Sequence, residues 1–244
     1  MGRCVFYVFL MGHLLGDFYF QSDELANKKK TSIKELLKHS FIYFIVMICV
    51  SIVVFHYNIV KWAIMLSVIH FGIDFLKCMI DHKKHDINET QIYIIDQLLH
   101  IGTIFLVVCA MIWNHEIISL QPILTYFKVV PTDLTFILSW LLMLCIILIP
   151  ASVTIKITLR KFQPENKHKE KGKPSAGALI GMLERVFIAM MLSVGQYSAI
   201  GFVLTAKSIA RYKKIIDDPE FSEYYLLGTL LSSIIVIASY YFIF

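Results

Sequence analysis

Residues 59–80 read I-V-K-W-A-I-M-L-S-V-I-H-F-G-I-D-F-L-K-C-M-I. The apolar side chains run on almost without interruption, over the length that spans a hydrocarbon core of roughly 30 Å. They do not alternate with period two, which excludes a membrane barrel strand. Inside the run stand His70 and Asp74, four residues apart and therefore on one face of a helix. An aspartate near the bilayer centre costs roughly 2.5–3.5 kcal/mol, so such a pair calls for a partner that offsets the cost.

The same spacing recurs twice. His13 and Asp17 close an apolar stretch at about 3–20, and Asp96 and His100 open another at 91–113. Further apolar stretches cover about 40–57, 134–156, 176–206 and 224–244, making seven with 59–80. The chain is 57% hydrophobic and 17% charged, with a mean hydropathy of +0.68. These values predict an all-α, polytopic transmembrane bundle of about six to seven membrane segments. The expected layout is a single transmembrane domain over 1–244, with His/Asp-bearing helices in 1–113, a basic loop at 157–175 and C-terminal helices in 176–244. The N-terminus has only Arg3 as a basic flank and no small-x-small cleavage site, so it is read as a retained helix.

The net charge of +5 sits in loops. Lys28, Lys29, Lys30, Lys34 and Lys38 follow the first stretch, Lys83 and Lys84 the third, and a basic run from Arg160 to Lys173 the fifth. That alternation is a topology signal rather than a nucleic-acid surface. It predicts a bacterial inner-membrane protein with its N-terminus outside and those three loops in the cytoplasm. On this orientation His13, Asp17, His39, His70, Asp74, Asp96 and His100 all fall at similar depth in the cytoplasmic half, which points to one shared site. The 176–206 stretch leaves two readings open: one long crossing, or a re-entrant segment that turns near Gly195 and Gln196.

Imidazole and carboxylate donors together suit zinc foremost, with manganese or iron as alternatives. Seven donors exceed what one four-coordinate ion takes, so the site is binuclear or some members orient the ligands. Gly12, Gly16, Gly72 and Gly102 beside the pairs would let helices approach closely. Three rival readings remain at this point: metal-free helix–helix hydrogen bonds, a proton or cation path, and a purely structural metal. Glu184 and Arg185 are the other intramembrane charges, read as a general base and a phosphate-binding arginine or as a mutually neutralised pair. Gln21 and Asp23 are read as capping the segment that follows the first helix, or lining the mouth of the site. His82 and His85 are assigned to a solvated loop, and His56, His115 and His168 to connectors. Five scattered cysteines without a C-x-x-C pair read as small core residues.

The strings H-L-L-G-D-F-Y-F-Q-S-D (13–23), H-F-G-I-D (70–74) and D-Q-L-L-H (96–100) resemble an uncharacterised bacterial inner-membrane family, domain of unknown function 3307. Late motifs extend that resemblance over nearly the whole chain: L-E-R at 183–185, G-Q-Y-S-A-I-G-F at 195–202, A-K-S-I-A-R at 206–211 and E-Y-Y-L-L-G-T-L at 223–230. A looser similarity, to membrane-bound metal-dependent hydrolases, implies phosphoester hydrolysis. The resulting expectation is hydrolysis of a lipid or lipid-linked phosphoester at a cytoplasm-facing metal site. Membrane lipid is the expected partner, nucleic acid is not, and a homo-oligomer is compatible with the sequence.

Overall fold

The computed structural model describes residues 1–29, 31–81, 88–116, 119–120, 131–164 and 176–244. Among them the regular structure is helical. The α-helices are α1 (Gly2–Leu14), α2 (Asp23–Lys28), α3 (Ile33–Val54), α4 (Val60–Asp81), α5 (Glu89–Trp113), α6 (Pro131–Thr158), α7 (Ala176–Ser193), α8 (Tyr197–Ala210), α9 (Tyr212–Asp217) and α10 (Pro219–Ile243). Expected members His82, His85 and His168 lie outside the described residues, as does most of the 157–175 connector.

Among the described residues, five segments are long and apolar enough to cross a membrane: Ile33–Val54, Tyr57–Met79, Glu89–Trp113, Leu134–Thr158 and Pro219–Ile243. These coincide with five of the seven apolar stretches. The other two are interrupted. The first ends as an α-helix at Leu14 and continues as a π-helical turn, Leu15–Tyr19. The 176–206 stretch breaks at Gly195, whose φ of 71° is a left-handed conformation that glycine adopts without strain. The 14 residues of α8 reach about 21 Å at 1.5 Å each, too short for the hydrocarbon core. Of the two readings left open by the sequence, the turn near Gly195 is the observed one.

The chain divides into two compact units, Met1–Leu142 and Met143–Phe244. The His/Asp-bearing helices belong wholly to the first and α7–α10 to the second. In the first unit α1 packs on α3 and α5, α3 on α4, and α4 on α5, so four helices close into a ring of contacts. The most deeply buried of them is α1: Cys4, Val5, Val8 and Phe9 have no exposed surface. Outward faces of the others stay apolar, with Phe41, Val68 and Leu106 all more than 60% exposed. In water such a surface would associate. On a membrane protein it is the face that meets lipid.

Helix ends follow their sequence signals. Asn88 accepts from the Thr90 N–H at 3.2 Å to start α5, and Asp218 accepts from the Phe221 N–H at 2.9 Å ahead of Pro219 to start α10. In the second unit α10 packs on α7, α7 on α8 and α9 on α10. Pro150 lies inside α6 and has no N–H for the helix ladder. The Arg185 side chain donates to the carbonyls of Ile147 and Leu148 just before it.

Two of the four glycines beside the pairs are close-approach positions. A Cβ on Gly16 would sit 2.6 Å from Tyr43 Cδ2, and one on Gly12 would sit 2.8 Å from Met47 Sδ. Gly72 and Gly102 face open space, with nothing within 4 Å, which corrects the expectation for them. Met47 has a flexible thioether, whereas the Tyr43 ring is stacked on His70 with centroids 3.6 Å apart and cannot retreat. Gly16→Ala is therefore expected to destabilise the protein by about 1–3 kcal/mol. Gly72→Ala is expected to be neutral or to stabilise by about 0.5–1 kcal/mol. Thermal unfolding of both variants in detergent checks the contrast.

Candidate metal centre

Four helices of the first unit and the π-helical turn bring all seven expected donors together. His13 comes from α1, Asp17 from the π-helical turn, His39 from α3, His70 and Asp74 from α4, and Asp96 and His100 from α5. His13 and His39 have no exposed surface, and His70, Asp74 and His100 have 3% or less. Ring centroids of His13 and His100 stack 5.0 Å apart, those of His70 and His100 lie 4.4 Å apart, and those of His39 and His70 lie 5.5 Å apart.

The pairs do not close on themselves. His13 Nε2 is 4.0 Å from Asp17 Oδ2, and His100 Nδ1 is 3.8 Å from Asp96 Oδ1. They pair across helices instead. His70 Nε2 meets Asp17 Oδ1 at 2.9 Å. His39 Nε2 lies 3.2 Å from Asp17 Oδ1 and 3.4 Å from Asp74 Oδ2, within ion-pair reach but out of hydrogen-bonding geometry. The π-helical turn explains part of this. Its extra residue per turn, closed by Phe20 N–H on Leu15 O at 2.9 Å, takes Asp17 off the regular α-helical path.

Hydrogen bonds settle which nitrogens carry protons. His100 Nδ1 faces the backbone carbonyl of Asp96 at 2.8 Å. A carbonyl only accepts, so Nδ1 holds the hydrogen and Nε2 of the neutral ring keeps its lone pair. By the same argument His70 donates to Asp17 through Nε2, leaving Nδ1 as the lone pair. His13 Nε2 is 3.4 Å from Gln97 Oε1, again leaving Nδ1. These lone-pair atoms, His100 Nε2, His70 Nδ1 and His13 Nδ1, are all buried without a hydrogen-bond partner. So are both nitrogens of His39, Asp74 Oδ1 and Asp96 Oδ1. Only two further buried side-chain atoms among the described residues share that state, Trp62 Nε1 and Tyr225 Oη.

Ligand atoms of three residue groups lie within 4.8 Å of one another: His13, Asp17 and His70; His39, His70 and Asp74; and Asp74, Asp96 and His100. His70 links the first two groups and Asp74 the last two. The cluster is thus a connected chain of groups, each able to hold an ion. All seven donors fit the nitrogen and oxygen set that zinc, manganese or iron takes.

Two lysines reach the cluster. Lys29 Nζ is 2.9 Å from Asp74 Oδ2 and 3.3 Å from Gln21 Oε1. Lys77 Nζ is 2.8 Å from Asp96 Oδ2. Burial pulls the Lys29 ammonium down, but Asp17, Asp74 and Asp96 more than offset it and hold it above the ordinary lysine value. The side chains of Lys29 and Lys77 are 13% and 23% exposed, against 2% or less for the imidazoles. They mark the side on which the cluster meets the surroundings.

The sequence pointed to Lys29 only as a topology charge, and gave no signal for Tyr43, which packs flat on His70. Gln97 stood in a quoted motif without a role. Neither Gln21 nor Asp23 is the cap of α2; Ser22 is, accepting from the Leu25 N–H at 3.2 Å. Glu184 and Arg185 belong to the second unit and are engaged there. Glu184 pairs with Lys207 at 2.6 Å, and Arg185 serves the carbonyls of α6 and Ser152. The close ion pair of Glu184 is thus with Lys207 rather than with its sequence neighbour Arg185.

Comparison with known proteins agrees with the motifs of the first unit. The model of the family "Protein of unknown function (DUF3307)" matches residues 5–130. The chain belongs to the DUF3307 family. The match ends at residue 130, so the late motifs lie beyond it and the resemblance over nearly the whole chain narrows to this half. No curated protein and no solved structure gives a match, and the looser hydrolase similarity finds no support in these comparisons.

Cross-helix pairing makes the cluster cooperative. In chelator-treated protein, Asp17→Ala and His70→Ala are each expected to destabilise, since each strands a buried partner. The double variant should lose less than the two single losses added together, with a coupling above about 1 kcal/mol. Denaturant unfolding in detergent measures that cycle.

Proposed function

We propose that this DUF3307 protein is a membrane-embedded, metal-dependent hydrolase of a lipid or lipid-linked phosphoester, acting at the cytoplasmic leaflet. The observation that carries the metal reading is the set of buried lone pairs on His13, His39, His70, His100, Asp74 and Asp96 with no proton donor to meet them. Each such atom costs about 1–3 kcal/mol if left unsatisfied. Six together cost on the order of 10 kcal/mol, comparable to the whole stability of a typical domain. A cation is the partner that satisfies several at once.

His13, His70, His39, His100, Asp17, Asp74 and Asp96 would hold one or two divalent ions, zinc foremost. Such an ion supplies Lewis-acid stabilisation of charge on a phosphoryl group and activation of a nucleophilic water. The remaining work falls to the chain. Water adds to phosphorus, the P–O bond to the alcohol breaks, and the proton of the water ends on the departing alkoxide. Asp96, with Oδ1 open to the ion, would pass that proton through Oδ2 as Lys77 turns from it. Lys77 neutralises the leaving oxygen.

Orientation supports the leaflet assignment. Lys28, Lys29, Lys34 and Lys38 flank the lysine side of the cluster in sequence, and such basic segments favour the cytoplasm. A substrate anchored in the inner leaflet would approach at headgroup depth.

One observation favours a second reading, a metal-free ion-pair network. Lys29 and Lys77 already sit on Asp74 and Asp96, so two of three carboxylates have a counter-charge. That network leaves the imidazole lone pairs unmet, which is why it ranks second. Elemental analysis separates the two. Purified wild type is expected to carry at least one divalent ion per chain, and His70→Ala/Asp74→Ala to carry none. Metal-dependent phosphate release from a phospholipid monoester should follow the same pattern. Near-zero metal in both proteins, after growth with added zinc, would remove the reading.

A further inference from the structure

We propose that Lys29 and Lys77 form an anion-binding site that opens when the cluster takes up its metal, and that the group bound there is a phosphate. This rests on the metal reading above and adds a ligand class and an order of binding. Each ammonium holds one oxygen of a carboxylate whose other oxygen is unpartnered and open to a metal. Lys29 is on Asp74 Oδ2 at 2.9 Å, and Lys77 is on Asp96 Oδ2 at 2.8 Å. Asp74 also belongs to two of the three candidate ligand groups, and Asp96 to one. Loading the cluster therefore weakens the hold of both carboxylates on their lysines.

Charge decides what happens next. With neutral imidazoles, Asp17, Asp74 and Asp96 carry three negative charges and the two lysines two positive ones. The cluster without metal is close to balanced. One divalent ion turns it net positive, and a second makes it more so. Two ammoniums at 13% and 23% exposure, too buried for bulk water to screen fully, then stand beside a cation in a cluster of net positive charge. An anion restores the balance. Lysine binds phosphate as a mobile point charge with three donors, and the four-carbon stems let both ammoniums turn from carboxylate to ligand without moving a helix.

The position suits an entering group. Lys29 follows α2, and Lys77 is on α4 three residues beyond Asp74. They are the most exposed of the charged groups at the cluster. A ligand arriving from outside meets them before it meets the imidazoles. In the empty state they close the carboxylates off. In the loaded state they are free to receive.

Inorganic phosphate is titrated calorimetrically into full-length protein in lipid nanodiscs, chelator-treated or loaded stoichiometrically with zinc. Loaded wild type is expected to bind phosphate at least tenfold more tightly than the chelator-treated form. Lys29→Met and Lys77→Met should each lose about tenfold in loaded affinity while zinc stoichiometry stays unchanged. Lys29→Arg should retain most of the affinity, which distinguishes lost charge from misfolding. A parallel titration with short-chain phosphatidate tells a lipid headgroup from free phosphate, and tighter binding of either kind supports the site. Equal phosphate affinity in loaded wild type and both methionine variants overturns the anion site and leaves the metal reading standing. Zinc bound by no form overturns both.

Discussion

Four imidazoles and three carboxylates gather inside a ring of four helices, three of them long enough to cross a membrane, and every imidazole and two of the carboxylates keep a buried atom without a hydrogen-bond partner. Burying such groups is expensive in hydrocarbon, where water cannot make good the missing bond. A helix bundle tolerates that arrangement only if something else satisfies it. The rest of the first unit is the means of holding those donors in place.

The means are specific. Among the described residues, α1 is the most buried helix, and it ends in a π-helical turn just where Asp17 is needed by His70. That turn lies against Tyr43, and Gly16 is the residue that lets it approach. Tyr43 in turn packs flat on His70. Gly16, Tyr43, His70 and Asp17 thus form one mechanical unit, in which backbone, ring and ion pair fix each other. His100 is set by its own helix, because the Asp96 carbonyl takes the Nδ1 proton and turns Nε2 toward the centre. Donor orientation of this kind is what keeps metal ligands in one tautomer and one pose.

The seven donors were legible in the sequence because helical spacing and apolar context are both local. His13, His70 and Asp96 could be placed at one depth from loop charges alone. The pairing was not legible. Spacing of four suggested claws closing on themselves, yet Asp17 crosses to His70 and His39, since a π-helical turn and the packing of neighbouring helices override the regular period. Lys29 illustrates the same limit: its charge marked a loop, and only the short α2 returns that loop to Asp74. Glu184 and Arg185 looked like a neighbouring pair because adjacent numbers hide opposite commitments, one to Lys207 and the other to carbonyls beside Pro150. The five long spans were plain, whereas the break at Gly195 needed a backbone angle to decide it.

X-ray absorption at the zinc edge, on purified protein loaded with one equivalent of zinc, reads which side chains hold the ion. The expected result is a first shell of nitrogen and oxygen atoms near 2.0–2.1 Å, with the outer-shell scattering that imidazole rings produce, lost in the His70→Ala/His100→Ala variant. A shell of water oxygens without imidazole scattering, unchanged by those substitutions, would contradict it.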